Sequence, residues 1–209
     1  LVGTTDTPVD RIDMEPLAME EEVAFVLDHA NRFLGLQLKR EDIRSVFAGL
    51  RPLIQGRREN TAKLSRSHEV GASPSGLVNV RGGKWTTYRK MAEDTVRFFK
   101  KECGLEFEPA DTAVLALDMT NTQPRGMHPK DESELASAVT LAVEEEMCMT
   151  TEDFLARRYR TLFLDAKNAR SSAVLVSELL SQNHGLNAEW AQRQSLDFQN
   201  LAQHYLPTP

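Results

Sequence analysis

Only two cysteines, Cys103 and Cys148, occur in 209 residues, and they lack the spacing of metal ligands. That scarcity excludes a disulfide framework and a zinc site, and it fits a reducing compartment. The five histidines are scattered without an HExxH-type pair, so each reads as a surface or satisfied core residue. No apolar run approaches the roughly 20 residues of a membrane-spanning helix. The GxGxxG string of a dinucleotide-binding turn is missing throughout. A Walker A loop is excluded too: it needs glycine at 78 and Ser or Thr at 85, where the chain has Val78 and Trp85.

What is present belongs to a globular protein of one or two domains, 41% apolar and 27% charged. The net charge of −6 hides an asymmetry. Residues 44–101 hold thirteen Lys and Arg against four Asp and Glu, whereas 104–209 hold eight against sixteen. The first stretch is therefore suited to anions such as phosphate, pyrophosphate, nucleic acid or acidic lipid, or else it is a solvated basic face.

The chain is organised around 77–101, LVNVRGGKWTTYRKMAEDTVRFFKK. Leu77–Val80 alternates as a short half-buried strand does. Arg81-Gly82-Gly83-Lys84 breaks it, and a glycine pair permits a turn closed to other residues. Trp85, Tyr88, Ala92, Val96 and Phe99 then recur at helical spacing, which predicts an amphipathic helix whose stripe packs into a core. Thr86 or Thr87 suits its N-cap. Strand, glycine turn and helix start can seat an anion, or simply form a tight structural turn.

Before this stretch, Leu1–Asp6 reads as the end of a strand entering a turn, as in a piece of a longer chain. Residues 19–34 predict a helix with Val23, Val26, Leu27, Ala30, Phe33 and Leu34 on one stripe and Gly35 as its stop. A brief helical turn at Arg40–Arg44 leads into extended Ser45–Pro52. Arg51 there is a cation among apolar neighbours, suited equally to a structural ion pair or to clamping a carboxylate or phosphate. Residues 55–63 are a polar loop. Ser65–Val70 and Leu77–Val80 form a hairpin across the turn Gly71–Gly76. Residues 117–130 read as linker. Helices follow at Glu132–Met147, Glu152–Tyr159 with a Thr150/Asp153 capping box, Asp165–Gln182, and Ala188–Tyr205 with Asn187 as cap.

Taken together, LVGTTD at the start, FAGLRPL at 47–53, LSRSHEV at 64–70 and LVNVRGGKWTTYRKMAED at 77–94 resemble the FAD-dependent glycerol-3-phosphate dehydrogenases and glycerophosphate oxidases, in order and approximate spacing. MCMTTEDFLARRY at 147–159 is similar to their terminal helical domain. The resemblance implies an α+β chain: a small antiparallel sheet with helices, part of a glutathione-reductase-like FAD/substrate-cap domain, followed by an all-helical domain. The implied division is 1–103, linker 104–130, and 131–209. Two departures stand out. The family's amino-terminal dinucleotide-binding region is absent, and helices usual near the linker are missing, so the isolated chain is expected to be inactive.

The resemblance further implies oxidation of sn-glycerol 3-phosphate to dihydroxyacetone phosphate by hydride transfer to FAD, with electrons passed to quinone. Arg51 and Lys84 would be catalytic and Arg66 would grip the substrate phosphate. Gly82, Gly83, Lys84, Trp85, Thr86 and Thr87 would face the flavin. It also implies a cytoplasmic setting with peripheral contact to the membrane surface, allows a homo-oligomer, and implies no nucleic-acid partner. Two other readings stay open. One is a basic anion- or nucleic-acid-binding module using Arg57, Arg58, Lys63, Arg66, Arg81, Arg89 and Lys90 with Trp85 and Tyr88 as stacking groups. The other is a non-catalytic interaction fragment whose acidic helices dock a partner.

Overall fold

The computed structural model describes residues 1–51, 54, 67–108, 110–116, 129 and 131–207. It falls into two compact units, one of residues 1–5, 11–49 and 123–209, the other of 6–10 and 50–122. Compactness therefore groups 11–49 with the helical end of the chain, a division different from the expected boundaries at 103 and 130. The cause is hydrogen bonding by the extended strip 44–46. Val46 N–H donates to the Tyr205 carbonyl (2.9 Å) and Ala166 N–H to the Arg44 carbonyl (3.2 Å). Ser45 Oγ–H donates to the Leu162 carbonyl at 2.6 Å and accepts from Ala166 N–H at 2.9 Å. Arg44 pairs with Asp165 at 2.8 Å. Such pairings span more than a hundred residues and leave no periodic trace in sequence.

The first unit is α-helical. It contains α1 (Glu20–Leu34), α3 (Glu132–Glu146), a π-helical stretch (Asp153–Arg158), α4 (Thr161–Leu164), α5 (Ala166–His184) and α6 (Ala188–Gln203). Its core is built from Val139, Cys148, Phe154, Leu155, Leu162, Val176 and Leu180, all essentially inaccessible to water. On α6, Phe198 is buried, and Trp190, Leu201 and Tyr205 pack partly against the same cluster, as the helical spacing predicts. The polar atoms enclosed with them are satisfied, for instance the Thr151 and Ser177 hydroxyls on each other at 2.7 Å. Carboxylate and amide side chains cap the long helices: Asp131 accepts from Glu134 N–H, Asp165 from Asn168 N–H, and Asn187 from Trp190 N–H. The expected stripe of α1 is covered over most of its length: Ala30 is buried and Val23, Val26 and Leu27 are partly buried, while Phe33 and Leu34 at its end stand exposed.

The second unit is a two-stranded antiparallel sheet and a helix. β1 (His68–Ala72) and β2 (Val78–Gly82) pair with Val70 opposite Val80, closed by the turn Ser73–Gly76. β1 lies later than the strand expected at 65–70, part of which is outside the described residues. A 3₁₀ turn (Trp85–Thr87) leads into α2 (Tyr88–Cys103). The predicted packing of α2 is corrected here. Met91 lies against Gly83 and Asp94 bonds His68, so the face carrying those residues meets the hairpin. The Trp85–Phe99 stripe points to water instead, and no residue of α2 is fully buried. A hairpin of two five-residue strands covers one helix face only, and spacing alone does not say which.

The capping box forecast at 150–153 is present and governs entry to the π-helical stretch. Asp153 accepts from the amides of Met149 (3.2 Å) and Thr150 (3.0 Å) and from the Thr150 hydroxyl, while Thr150 Oγ1 accepts from Asp153 N–H. Burial pushes the Asp153 carboxyl up, but these bonds and Arg157 outweigh it and hold it below the ordinary carboxylate value. Its stabilising contribution is therefore complete above the unfolded carboxyl range near pH 4, and is lost as pH falls through the lower folded value. Asp153→Ala is expected to cost about 1–2 kcal/mol in chemical denaturation at pH 7. The gap between variant and parent should close in acid.

Candidate functional site

The glycine turn is dictated by crowding. Gly82 and Gly83 adopt φ of +70° and +82°, a region L side chains rarely enter. A Cβ on Gly82 would lie 2.7 Å from the Ile54 side chain and from the Ser67 carbonyl oxygen. On Gly83 it would run into the Met91 thioether, with the His68 Cβ at 3.3 Å. Gly83 N–H donates to that same Ser67 carbonyl at 3.1 Å. The glycine pair is thus required by the protein's own packing, on the side where a Cβ would stand.

Past the turn, Lys84 is extended and its amide donates to Thr87 Oγ1 (3.3 Å), while the Thr87 hydroxyl donates back to the Lys84 carbonyl (3.0 Å). Thr87 holds the N-cap position of α2, yet its hydroxyl serves this 3₁₀ turn and makes no capping bond to α2. Lys84, Trp85, Thr86 and Thr87 are all exposed, and the Trp85 and Tyr88 rings stack with centroids 5.8 Å apart. Six of the expected site residues, 82–87, therefore form one contiguous surface feature at the head of a sixteen-residue helix.

Arg51 lies in the same unit as the turn. Its guanidinium is not buried among apolar groups: it pairs with Asp6 at 3.3 Å and is over a third exposed. Of its two open readings, the ion pair is present. Three residues on, the Ile54 side chain lies against Gly82. Arg66 lies outside the described residues, as do Arg57, Arg58 and Lys63.

Sequence reasoning missed a charge network beside the turn. His68 Nε2 meets Asp94 Oδ2 at 2.9 Å, and Lys90 Nζ meets Asp94 Oδ1 at 2.9 Å. The Lys90 bond, then His68, holds the Asp94 carboxyl below its ordinary value, and Asp94 raises Lys90 in return. Glu93 gathers Arg97 (2.6 Å), Arg89 and Lys90 (each 3.5 Å). The spacing of Arg89, Glu93 and Arg97 signals the helical pairs. The His68 contact depends on how α2 sits on β1 and carries no such signal. Among the described residues no cluster of His, Cys, Asp and Glu could hold a metal ion.

Residues 110–192 match the family model of the C-terminal domain of alpha-glycerophosphate oxidase. The chain is 39% identical over 120 residues to the mitochondrial glycerol-3-phosphate dehydrogenases of Bos taurus and Homo sapiens, covering 56% of this chain and 16% of theirs. It is 40% identical over 121 residues to the aerobic glycerol-3-phosphate dehydrogenase of Staphylococcus aureus, 22% of whose length is covered. The fold resembles the crystal structure of the Bacillus halodurans glycerol-3-phosphate dehydrogenase complexed with FAD. The TM-score is 0.72 at 24% identity, over 97% of this chain and 48% of that one. The chain is thus similar to a carboxyl-terminal portion of the glycerol-3-phosphate dehydrogenases and of alpha-glycerophosphate oxidase, and the matched stretch spans 16–22% of the curated relatives' length.

The glycine pair yields a stability test. Gly83→Ala is expected to destabilise the hairpin–α2 unit by about 1–3 kcal/mol, through positive φ and overlap with Met91. Gly71→Ala, on β1 with open space at its Cβ position, should cost less than 1 kcal/mol. Equilibrium urea denaturation of the two variants measures the difference.

Proposed function

We propose that this chain is the carboxyl-terminal portion of an FAD-dependent enzyme that oxidises sn-glycerol 3-phosphate to dihydroxyacetone phosphate and passes the electrons to quinone. The observation that carries this reading is the 39–40% identity to glycerol-3-phosphate dehydrogenases over 120 or so residues. In it, residues 1–103 belong to the FAD/substrate-cap part and 131–209 to the terminal helical domain. The setting is the cytoplasmic membrane face, reached peripherally. No helix among the described residues is long and apolar enough to cross a membrane.

The residues present fit one edge of the cofactor rather than its whole length. No GxGxxG is available for the pyrophosphate. The space behind Gly82 and Gly83 is filled by Ile54, Ser67 and Met91, so that side of the turn is no ligand cradle. The outer side offers an exposed ammonium on Lys84 and the positive end of α2, a donor set suited to an anionic or electron-rich ring edge.

When bound, the flavin supplies the hydride acceptor. The chain's own residues then have these roles. Arg66 grips the substrate phosphate with a guanidinium fork suited to paired oxygens. Arg51, oriented by Asp6, and Lys84 place positive charge beside the C2 oxygen and favour its alkoxide character as hydrogen leaves. Gly82–Thr87 would hold the flavin, offering it backbone N–H groups and the positive end of α2. Preorganised donors of this kind are worth a few kcal/mol each.

Absorption spectra test the reading. After gel filtration with excess FAD, the isolated chain should carry no flavin. Joined to the remainder of the family fold, it should retain flavin that bleaches on adding sn-glycerol 3-phosphate, and Lys84→Met should lower kcat/KM by about 10²-fold. Flavin retained and bleached by the isolated chain would sink the incompleteness. A complete, flavin-loaded assembly inert to sn-glycerol 3-phosphate would sink the substrate.

A further inference from the structure

Lys84 owes its place to its backbone. Its amide and carbonyl exchange hydrogen bonds with the Thr87 hydroxyl, and among the described residues no carboxylate pairs with its ammonium. The aim of the side chain is therefore set by how firmly Gly83 and Lys84 are held. Gly83 N–H donates to the Ser67 carbonyl at 3.1 Å, and the Met91 side chain lies against the same residue.

Met91 fills that space without specifying it. A thioether on three rotatable bonds adapts to small shifts of its surroundings, so by itself it leaves the rise and rotation of α2 on the hairpin loosely set. A directional bond one turn further along α2 supplies what it lacks. His68 pairs in register with Gly82, and its ring reaches α2, where Nε2 lies 2.9 Å from Asp94 Oδ2. An ionised carboxylate only accepts, so Nε2 carries the proton and donates it. The second oxygen of Asp94 takes Lys90 Nζ at 2.9 Å, which fixes the carboxylate from both ends.

The pair is also sheltered. The His68 and Asp94 side chains are 19% and 32% exposed, against 69% and 53% for Arg81 and Glu69 across the same hairpin. Charge-assisted hydrogen bonds drawn back from water keep their geometry, whereas exposed pairs contribute little. An apolar pair would serve stability as well. What the polar pair adds is one fixed register between β1 and α2, beside the turn that carries Lys84.

We propose that His68 and Asp94, braced by Lys90, are positioning residues for Lys84: their bond locks β1 to α2 and so holds the glycine turn, and the ammonium that follows it, in one place. This rests on the functional reading above and deepens it, since Lys84 is the group through which the pair acts. A displacement of about 1 Å at a reacting centre costs on the order of 10²-fold in rate, so a loosened turn is felt in kcat. KM is expected to change little, because the ammonium acts on charge that develops only as hydrogen leaves.

Two measurements test the pair. In the 209-residue chain, His68→Phe and Asp94→Ala should quicken hydrogen exchange of the Gly83 amide about tenfold. His68→Gln, which keeps a donor at the same reach, should hold the parent rate. In the flavin-loaded assembly with the remainder of the family fold, His68→Phe should lower kcat about tenfold with KM within about twofold, and His68→Gln should recover most of that loss. In a Lys84→Met background the same His68→Phe change should cost less than about twofold, because the group it positions is gone. Val70→Ala, two residues along β1, is the control: it should lower the melting temperature and leave kcat unchanged. Gly83 exchange indifferent to His68→Phe and Asp94→Ala overturns the proposal. So do losses that multiply in the Lys84→Met background, or an equal loss of kcat from Val70→Ala. A flavin-loaded parent assembly inert toward sn-glycerol 3-phosphate counts against the functional reading alone, and the Gly83 exchange rates then decide whether the pair holds the turn.

Discussion

The close approach of Met91 to Gly83 is the constraint on which the site's geometry depends. Residue 83 must lack a Cβ, because the thioether of α2 occupies that space, and residue 82 must lack one because Ile54 and the Ser67 carbonyl do. The paired positive φ angles then turn the chain out of β2 and start α2 after a single 3₁₀ turn. Met91 and Asp94 fall on the side that meets the hairpin, and Trp85, Tyr88, Val96 and Phe99 are left on the opposite side. One contact at the turn thus fixes both the presentation of Lys84 and the exposure of an aromatic stripe.

That arrangement changes what the glycine pair means. Glycines in a strand–turn–helix connection suggest a backbone making room for a ligand. Here they make room for the protein itself. The chemical content of the turn lies in what its outer surface presents: an ammonium, two threonines and the positive end of a sixteen-residue helix. A seat held rigid from behind by Ile54 and Met91 loses little on receiving a ligand in front, which is the condition for electrostatic preorganisation.

Much of the helical unit was legible in sequence, because its signals are local. The cap Asn187, the Thr150/Asp153 box and the stripe through Phe198 each lie within a few turns of the helix they define. The hairpin and the helix after GGK were legible for the same reason. What failed were statements of facing. The α2 stripe was expected inward and lies outward, and the α1 stripe leaves Phe33 and Leu34 exposed at its end. Periodicity reports that a helix has an apolar side, but whether anything covers that side depends on the rest of the fold. The resemblance, resting on long strings such as GGKWTTYRKMAED, pointed to the glycerol-3-phosphate dehydrogenases without indicating which surfaces this portion leaves open.

The basic excess of residues 44–101 shows why charge counts alone mislead. By count the segment looks like an anion trap. In the structure, Arg81 faces Glu69, Lys90 faces Asp94, and Glu93 draws in Arg89 and Arg97. Few carboxylates lie in the segment, but Glu93 alone engages three cations and Asp94 meets both Lys90 and His68, so the field available to a solvent anion is smaller than the tally. The aromatics do not rescue a nucleic-acid reading, because stacking platforms gain their affinity together with a basic groove that tracks the backbone.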